Sequence, residues 1–272
     1  MSATRREAIA WLGFAALAGR AAASPSARKV SPVGLQLYTV RKAMAADPEQ
    51  TLSRVAAVGY REVEFAGYFG HSAADVRGLL ARTGLRAPSA HISSEKLADG
   101  WERTLEEAHT IGHRYLIVAS AHHASTLDDY RQLAERLNRA GERAARMGVR
   151  VGFHNHDVEF RAIDGKRPYD VLLEATDPKW VCFEMDLYWI VKGGQDPLAY
   201  FARWPGRIEL VHVKDAAGPA KSIVPVGAGS IDWANIFSHA KGIKHYFVED
   251  DDASDPFASL TASYAYLRDL RY

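Results

Sequence analysis

The chain has 272 residues, 47% of them hydrophobic and 25% charged, which is ordinary for a globular protein with one large core. Its formal net charge of +1 and the lack of a basic block exclude nucleic acid as a partner on electrostatic grounds. The single cysteine, Cys182, excludes an intrachain disulfide and a thiolate metal cluster.

The first element is a leader. "MSATRREAIAWLGFAALAGRAAAS" pairs Arg5 with Arg6, continues in an apolar run over 8–18 and ends on Ala21–Ala22–Ala23 before Ser24. That pattern is expected to be a twin-arginine signal peptide over 1–23, with a linker over 24–32 and a mature protein that is periplasmic or secreted. The apolar run is too short for a permanent membrane span.

From Val33 onward, short apolar runs alternate with amphipathic segments. The runs are 33–38, 61–65, 86–92, 114–120, 150–156, 180–186, 207–215 and 244–250. The segments between them are 48–59, 72–84, 94–111, 126–148, 169–176, 196–204, 232–240 and 256–270. Ser72 and Asp232 read as N-caps, and Gly59, Gly84 and Gly148 as helix stops. Eight strand–helix pairs in succession predict parallel pairing and a single-domain (β/α)8 TIM barrel over 33–272. The rival, an open doubly wound sheet, lacks its usual support because no G-x-G-x-x-G follows the first strand.

In such a barrel the chemistry sits where strands run into the following loops. Those ends carry Gln36 and Tyr38, Glu64, His91, then "FHNHD" with His154, Asn155 and His156, then Glu184 and Asp186, His212 and Lys214, and Glu249 and Asp250. Any one of them has a plain explanation as a solvated residue or a helix cap. Together they put several carboxylates into one barrel mouth, which is costly without a cation or hydrogen bonds. Oxygen and imidazole donors of this mix suit Mn²⁺, Mg²⁺, Co²⁺ or Zn²⁺.

The motifs "GLQLYTVR", "FHNHD" followed by "EF", "DLYW", "GGQDP", "HVKD" and "VGAGSIDW" resemble, in order, the xylose-isomerase-like barrels of the sugar phosphate isomerase/epimerase family. The resemblance implies a divalent metal held by residues from strands five to eight, the last three falling on Asp186, His212 and Glu249. Where many relatives carry Glu at the end of strand five, this chain has His154. The fourth ligand is then His154 or Glu159. Added negative charge favours Glu159, which leaves His154 beside the substrate.

The resemblance also implies proton transfer next to a sugar carbonyl through an enediolate. Its outcome is isomerisation or epimerisation, with elimination as the alternative. Catalytic roles are expected for His154, His156, Lys214 and Glu249. Substrate contacts are expected for Gln36, Glu64, His91, Asn155 and Trp189. The partner is a small, non-phosphorylated keto sugar, and a homo-oligomer is left open. A barrel that binds sugar without catalysis is the reading of another class.

Overall fold

The computed structural model describes residues 28–272. The expected leader over 1–23, and the expectation of export that rests on it, lie outside the described residues. Among the described residues there are ten strands: β1 (Gly34–Gln36), β2 (Glu62–Phe65), β3 (Arg86–Ile92), β4 (Tyr115–Val118), β5 (Arg150–His154), β6 (Val181–Asp186), β7 (Ile208–Val213), β8 (Asp215–Ala217), β9 (Ser222–Val224) and β10 (His245–Val248). Eight of them close a parallel barrel in the order β1-β10-β7-β6-β5-β4-β3-β2, while β8 and β9 form a separate antiparallel hairpin after β7. The expected (β/α)8 barrel is therefore the fold.

Local chemistry explains the helix starts. Ser72 with Asp75 and Thr126 with Asp129 form reciprocal capping boxes before the helices Ala73–Thr83 and Leu127–Ala145. Asp47, Asp196 and Asp255 each accept a backbone N–H ahead of a proline in the first helical turn. Gly84, at φ 69°, ends its helix in a left-handed conformation that a side chain would resist. Residues 28–32, expected as linker, are tied to the barrel: Arg28 and Tyr272 exchange two backbone hydrogen bonds, 2.7 and 3.1 Å.

The larger core lies between strands and helices. A second apolar cluster of Tyr115, Ile117, Cys182, Leu210 and Phe247 fills the barrel interior. Gly152 leaves room for it, since a Cβ there would stand 2.6 Å from Ile117 Cδ1. This apolar plug is the floor on which the polar groups of the mouth rest. No helix among the described residues is long and apolar enough to cross a membrane.

Candidate active site

Side chains alternate along a strand, so residues two apart share a face. On β6 this carries Cys182 in the apolar plug, Glu184 above it and Asp186 at the rim. Parallel pairing sets His154 beside Glu184 and Asp186 beside His212. On the far side Gln36 pairs with Glu64, and Glu64 with Ser89. All of these are buried.

The groups form two layers. In the deep layer, Glu184 Oε2 meets three imidazoles: His91 Nε2 at 2.7 Å, His154 Nδ1 at 3.2 Å and His212 Nε2 at 3.2 Å. Glu64 Oε2 accepts from Gln36 Nε2 at 2.8 Å and lies 2.7 Å from His212 Nε2, while its Oε1 accepts from Ser89 Oγ at 2.5 Å. In the outer layer, His212 Nδ1 lies 2.9 Å from Glu249 Oε2 and 3.9 Å from Asp186 Oδ2, and His154 Nε2 lies 4.0 Å from Asp186 Oδ2. Lys214 Nζ stands 3.1 Å from Asp186 Oδ2 and 2.8 Å from both Glu249 Oε2 and Asp251 Oδ2.

Electrostatics divide the roles. Burial alone would raise the Glu184 carboxyl, but the charge and hydrogen bonds of the imidazoles hold it well below the usual range. Glu249 is likewise held ionised against burial, by Lys214 and His212. Burial, then the charge of His212, drives His154 well below its ordinary value, so its ring is neutral. Burial, then Lys214, pushes His156 down to about 4. Burial would depress His212, yet Glu184 and Glu249 raise it well above the ordinary value. Burial, then Glu249, pushes Asp251 up to about 7.

The donor set fits a divalent cation. Two sets of atoms converge closely enough to hold one: His91, His154, Glu184 and His212 in the deep layer, and Asp186, His212 and Glu249 in the outer. Glu184 Oε1 and Asp186 Oδ2 are buried without a hydrogen-bond partner, the signature of oxygens that lack a cation or donor. His154 and His212 each turn one ring nitrogen to the deep carboxylates and the other to the outer group. Imidazoles that give an N–H to a carboxylate behind them and offer the opposite nitrogen forward are oriented as metal ligands. That geometry favours the outer group of Asp186, His212 and Glu249, with His154 Nε2 at its edge, 4.0 Å from Asp186 Oδ2, and Glu64 and Glu184 as orienting carboxylates.

Several expected contacts come out differently. Glu159 joins neither group. The short 3-10 turn Val158–Phe160 brings its Oε2 back to accept the His156 N–H at 2.7 Å, so it braces the loop instead of facing a cation. Gln36 and Glu64 lie beneath the mouth, bonded to each other, and do not line the cavity. Asn155 is also behind the wall: its side chain exchanges hydrogen bonds with the Asp186 backbone, 3.3 and 3.1 Å, and splices β5 to β6. Trp189 lies tilted against His156, ring centres 5.4 Å apart, with Lys214 Nζ 5.5 Å from the Trp189 ring centre, and does not line the cavity. Asp250 turns away to Ser259 Oγ at 2.6 Å.

Glu184 and Asp251 are site residues to which sequence reasoning gave no role. Period-two alternation from the buried Cys182 was the signal for Glu184. Asp251 carried none, because the strand ends at Val248 and its alternation stops there.

Above the outer layer opens a cavity of 610 Å³, walled by His91, His154, His156, Lys214, Glu249 and Asp251 on its polar side and by Tyr38, Ile92, Ser93 and His122 elsewhere. Lys214 is the one Lys or Arg among the described residues that line it. The loop after β7, a common phosphate position in such barrels, is filled from within. Asp215 accepts N–H groups from Ala216, Gly227, Gly229 and Ile231 and the Nε1–H of Trp233.

Comparison with known proteins agrees with this architecture. A family model described as xylose isomerase-like TIM barrel matches residues 52–269. The inosose dehydratase of Lacticaseibacillus casei is 25% identical over 189 residues, 61% of this chain and 63% of that protein, so the match spans less than two thirds of that relative. The inosose dehydratase of Geobacillus thermodenitrificans (strain NG80-2) is 25% identical over 266 residues, covering 81% of this chain and 89% of that one. A solved sugar phosphate isomerase/epimerase from Parabacteroides distasonis ATCC 8503 is 29% identical with a TM-score of 0.79, covering 88% of this chain and 98% of that one.

Proposed function

With residues 52–269 matching its model, the chain belongs to the xylose isomerase-like TIM barrel family, and we propose that it is a divalent-metal enzyme that shifts a proton beside the carbonyl of a free keto sugar, as an isomerase or epimerase. The observation that carries this reading is the outer group, in which the carboxylates of Asp186 and Glu249 and an imidazole nitrogen of His212 converge under a sugar-sized cavity, with His154 Nε2 4.0 Å from Asp186 Oδ2 at its edge. A divalent cation bound there would polarise the carbonyl and the neighbouring hydroxyl.

The chain's own groups supply the rest. Glu249, held ionised, takes the proton from the carbon next to the carbonyl, and the electron pair of the broken C–H bond moves onto the carbonyl oxygen. Lys214, charged and buried at the same rim, stabilises that oxygen. His156, neutral and on the β5 side, guides the proton's return to the neighbouring carbon or to the opposite face. The carboxylate-filled loop after β7 and the scarcity of cations around the cavity support a substrate without phosphate. The residues over 5–23 support an exported protein, consistent with such a substrate.

A second reading is elimination of water from a keto-cyclitol or 3-keto-glycoside. It is favoured by the likeness to inosose dehydratases and by Lys214, whose ammonium faces the cavity where it can hydrogen-bond a leaving hydroxyl. Purified, Mn²⁺-loaded protein incubated with free ketoses, inososes and 3-keto-glycosides, with products read by NMR, separates the two. A new isomer or epimer supports the first reading, and an enone or its tautomer the second. An unchanged panel argues for a barrel that binds sugar without turning it over.

A further inference from the structure

Lys214 is buried among three carboxylates whose contacts with it are unequal. It donates a well-formed hydrogen bond to Asp251 Oδ2 at 2.8 Å. Asp186 and Glu249 are reached by charge alone, without hydrogen-bond geometry. Those two carboxylates are the oxygen donors of the outer ligand group. An ammonium and a divalent cation therefore compete for the same oxygens.

Asp251 belongs to neither ligand group. It stands on the loop after β10, and Arg41 Nη2 pins its backbone carbonyl at 3.1 Å from outside the mouth. Formal charge makes the point sharper. Three carboxylates carry three negative charges, Lys214 returns one, and a divalent cation would return the other two. With His212 Nδ1 turned to the cation as a neutral ligand, Lys214 and a divalent cation together balance the three carboxylates, and Lys214 then needs a carboxylate of its own.

We propose that Asp251 is the positioning residue that keeps Lys214 at the rim when a divalent cation takes Asp186 and Glu249, converting a resident counter-cation into an ammonium that faces the substrate. The proposal rests on the metal reading given above. Asp251 acts through Lys214 and need not touch the substrate.

The test is calorimetric titration of metal-stripped protein with Mn²⁺ at pH 8. Removing a competing charge in Lys214→Met is expected to tighten binding by at least about tenfold. Asp251→Asn, which leaves the ammonium only the metal's oxygens, is expected to weaken it by about tenfold, with Asp251→Glu restoring it. The loss caused by Asp251→Asn should shrink severalfold once Lys214 is Met. An equal loss in both backgrounds, or no tightening in Lys214→Met, overturns the proposal. Should circular dichroism show Lys214→Met unfolded, the Asp251 variants decide: weakening rescued by Glu supports the proposal, and wild-type affinity in Asp251→Asn overturns it. A wild-type chain that binds no Mn²⁺ sinks the metal reading and this proposal together, whereas binding unaltered in the variants sinks this proposal alone.

Discussion

Replacing Asp215 with Asn tests how the loop after β7 is built. The Asp215 carboxylate is fully buried and takes five donors. Oδ2 accepts from Gly227 N at 2.9 Å, Gly229 N at 3.2 Å and Trp233 Nε1 at 3.0 Å. Oδ1 accepts from Ala216 N at 2.8 Å and Ile231 N at 3.2 Å. Gly229 has no room for a Cβ, which would collide with the same carboxylate. An Asn keeps the shape but only one oxygen. With that oxygen placed to keep three donors, its NH2 faces the N–H groups of Ala216 and Ile231. Two bonds to a charged acceptor are lost, at roughly 1.5–3 kcal/mol each, so Asp215→Asn should cost about 3–6 kcal/mol. Urea denaturation at pH 7 measures the cost. Hydrogen exchange should show lost protection at residues 227–231 before the rest of the barrel. A cost below about 1 kcal/mol, or protection unchanged in that loop, would refute the idea that an internal anion organises it.

Three further outcomes are expected. His113 is buried, lies 2.7 Å from Ala87 O through Nδ1, and is pushed down to about 4 by burial from an ordinary 6.5. The unfolded chain thus binds one more proton between those values, and stability is lost as pH falls from 6.5 to about 4. Those 2.5 units correspond to about 3 kcal/mol. Urea midpoints across that range should fall less steeply in His113→Gln, and parallel curves would count against it. Glu184→Gln removes the charge that orients three imidazoles and should weaken Mn²⁺ binding by roughly 10–100-fold, the range for groups behind metal ligands; titration at wild-type affinity would contradict that role. Expressed in a host with an active twin-arginine system, the mature protein should begin near Ser24 by intact-mass measurement, and a full-length product in the cytoplasm would refute the export reading.

The barrel was legible because caps such as Ser72 and Asp232 and stops such as Gly59, Gly84 and Gly148 punctuate the chain between many of its strands and helices. The hairpin β8–β9 was not. Residues 207–215 read as one strand, and what breaks it at Lys214 is the long-range demand of Gly227, Gly229, Ile231 and Trp233 for the Asp215 carboxylate. Helix 94–111 also divides, into Ser94–Leu97 and Trp101–Ile111, where Gly100 adopts φ 75°. Of the site, Asp186, His212 and Glu249 were implied by the family resemblance and by their places at the ends of three successive strands, and the structure brings them together. Glu159 was misplaced because charge argued for it while the 3-10 turn that folds it onto the His156 N–H leaves no period to read. Asp250 and Asp251 show the same limit. Past the last strand residue, only packing decides which side chain returns to the mouth.

The central claim is metal-dependent proton transfer at carbon on a free keto sugar. Its most direct measurement is deuterium incorporation from D2O at the carbon next to the carbonyl, followed by NMR on an inosose and a 3-keto-glycoside. Mn²⁺-loaded protein should place deuterium at that carbon, and chelation or Asp186→Ala should abolish it together with the bound metal. Incorporation that persists at full rate after chelation, or none from the loaded protein on any keto sugar, would contradict the account.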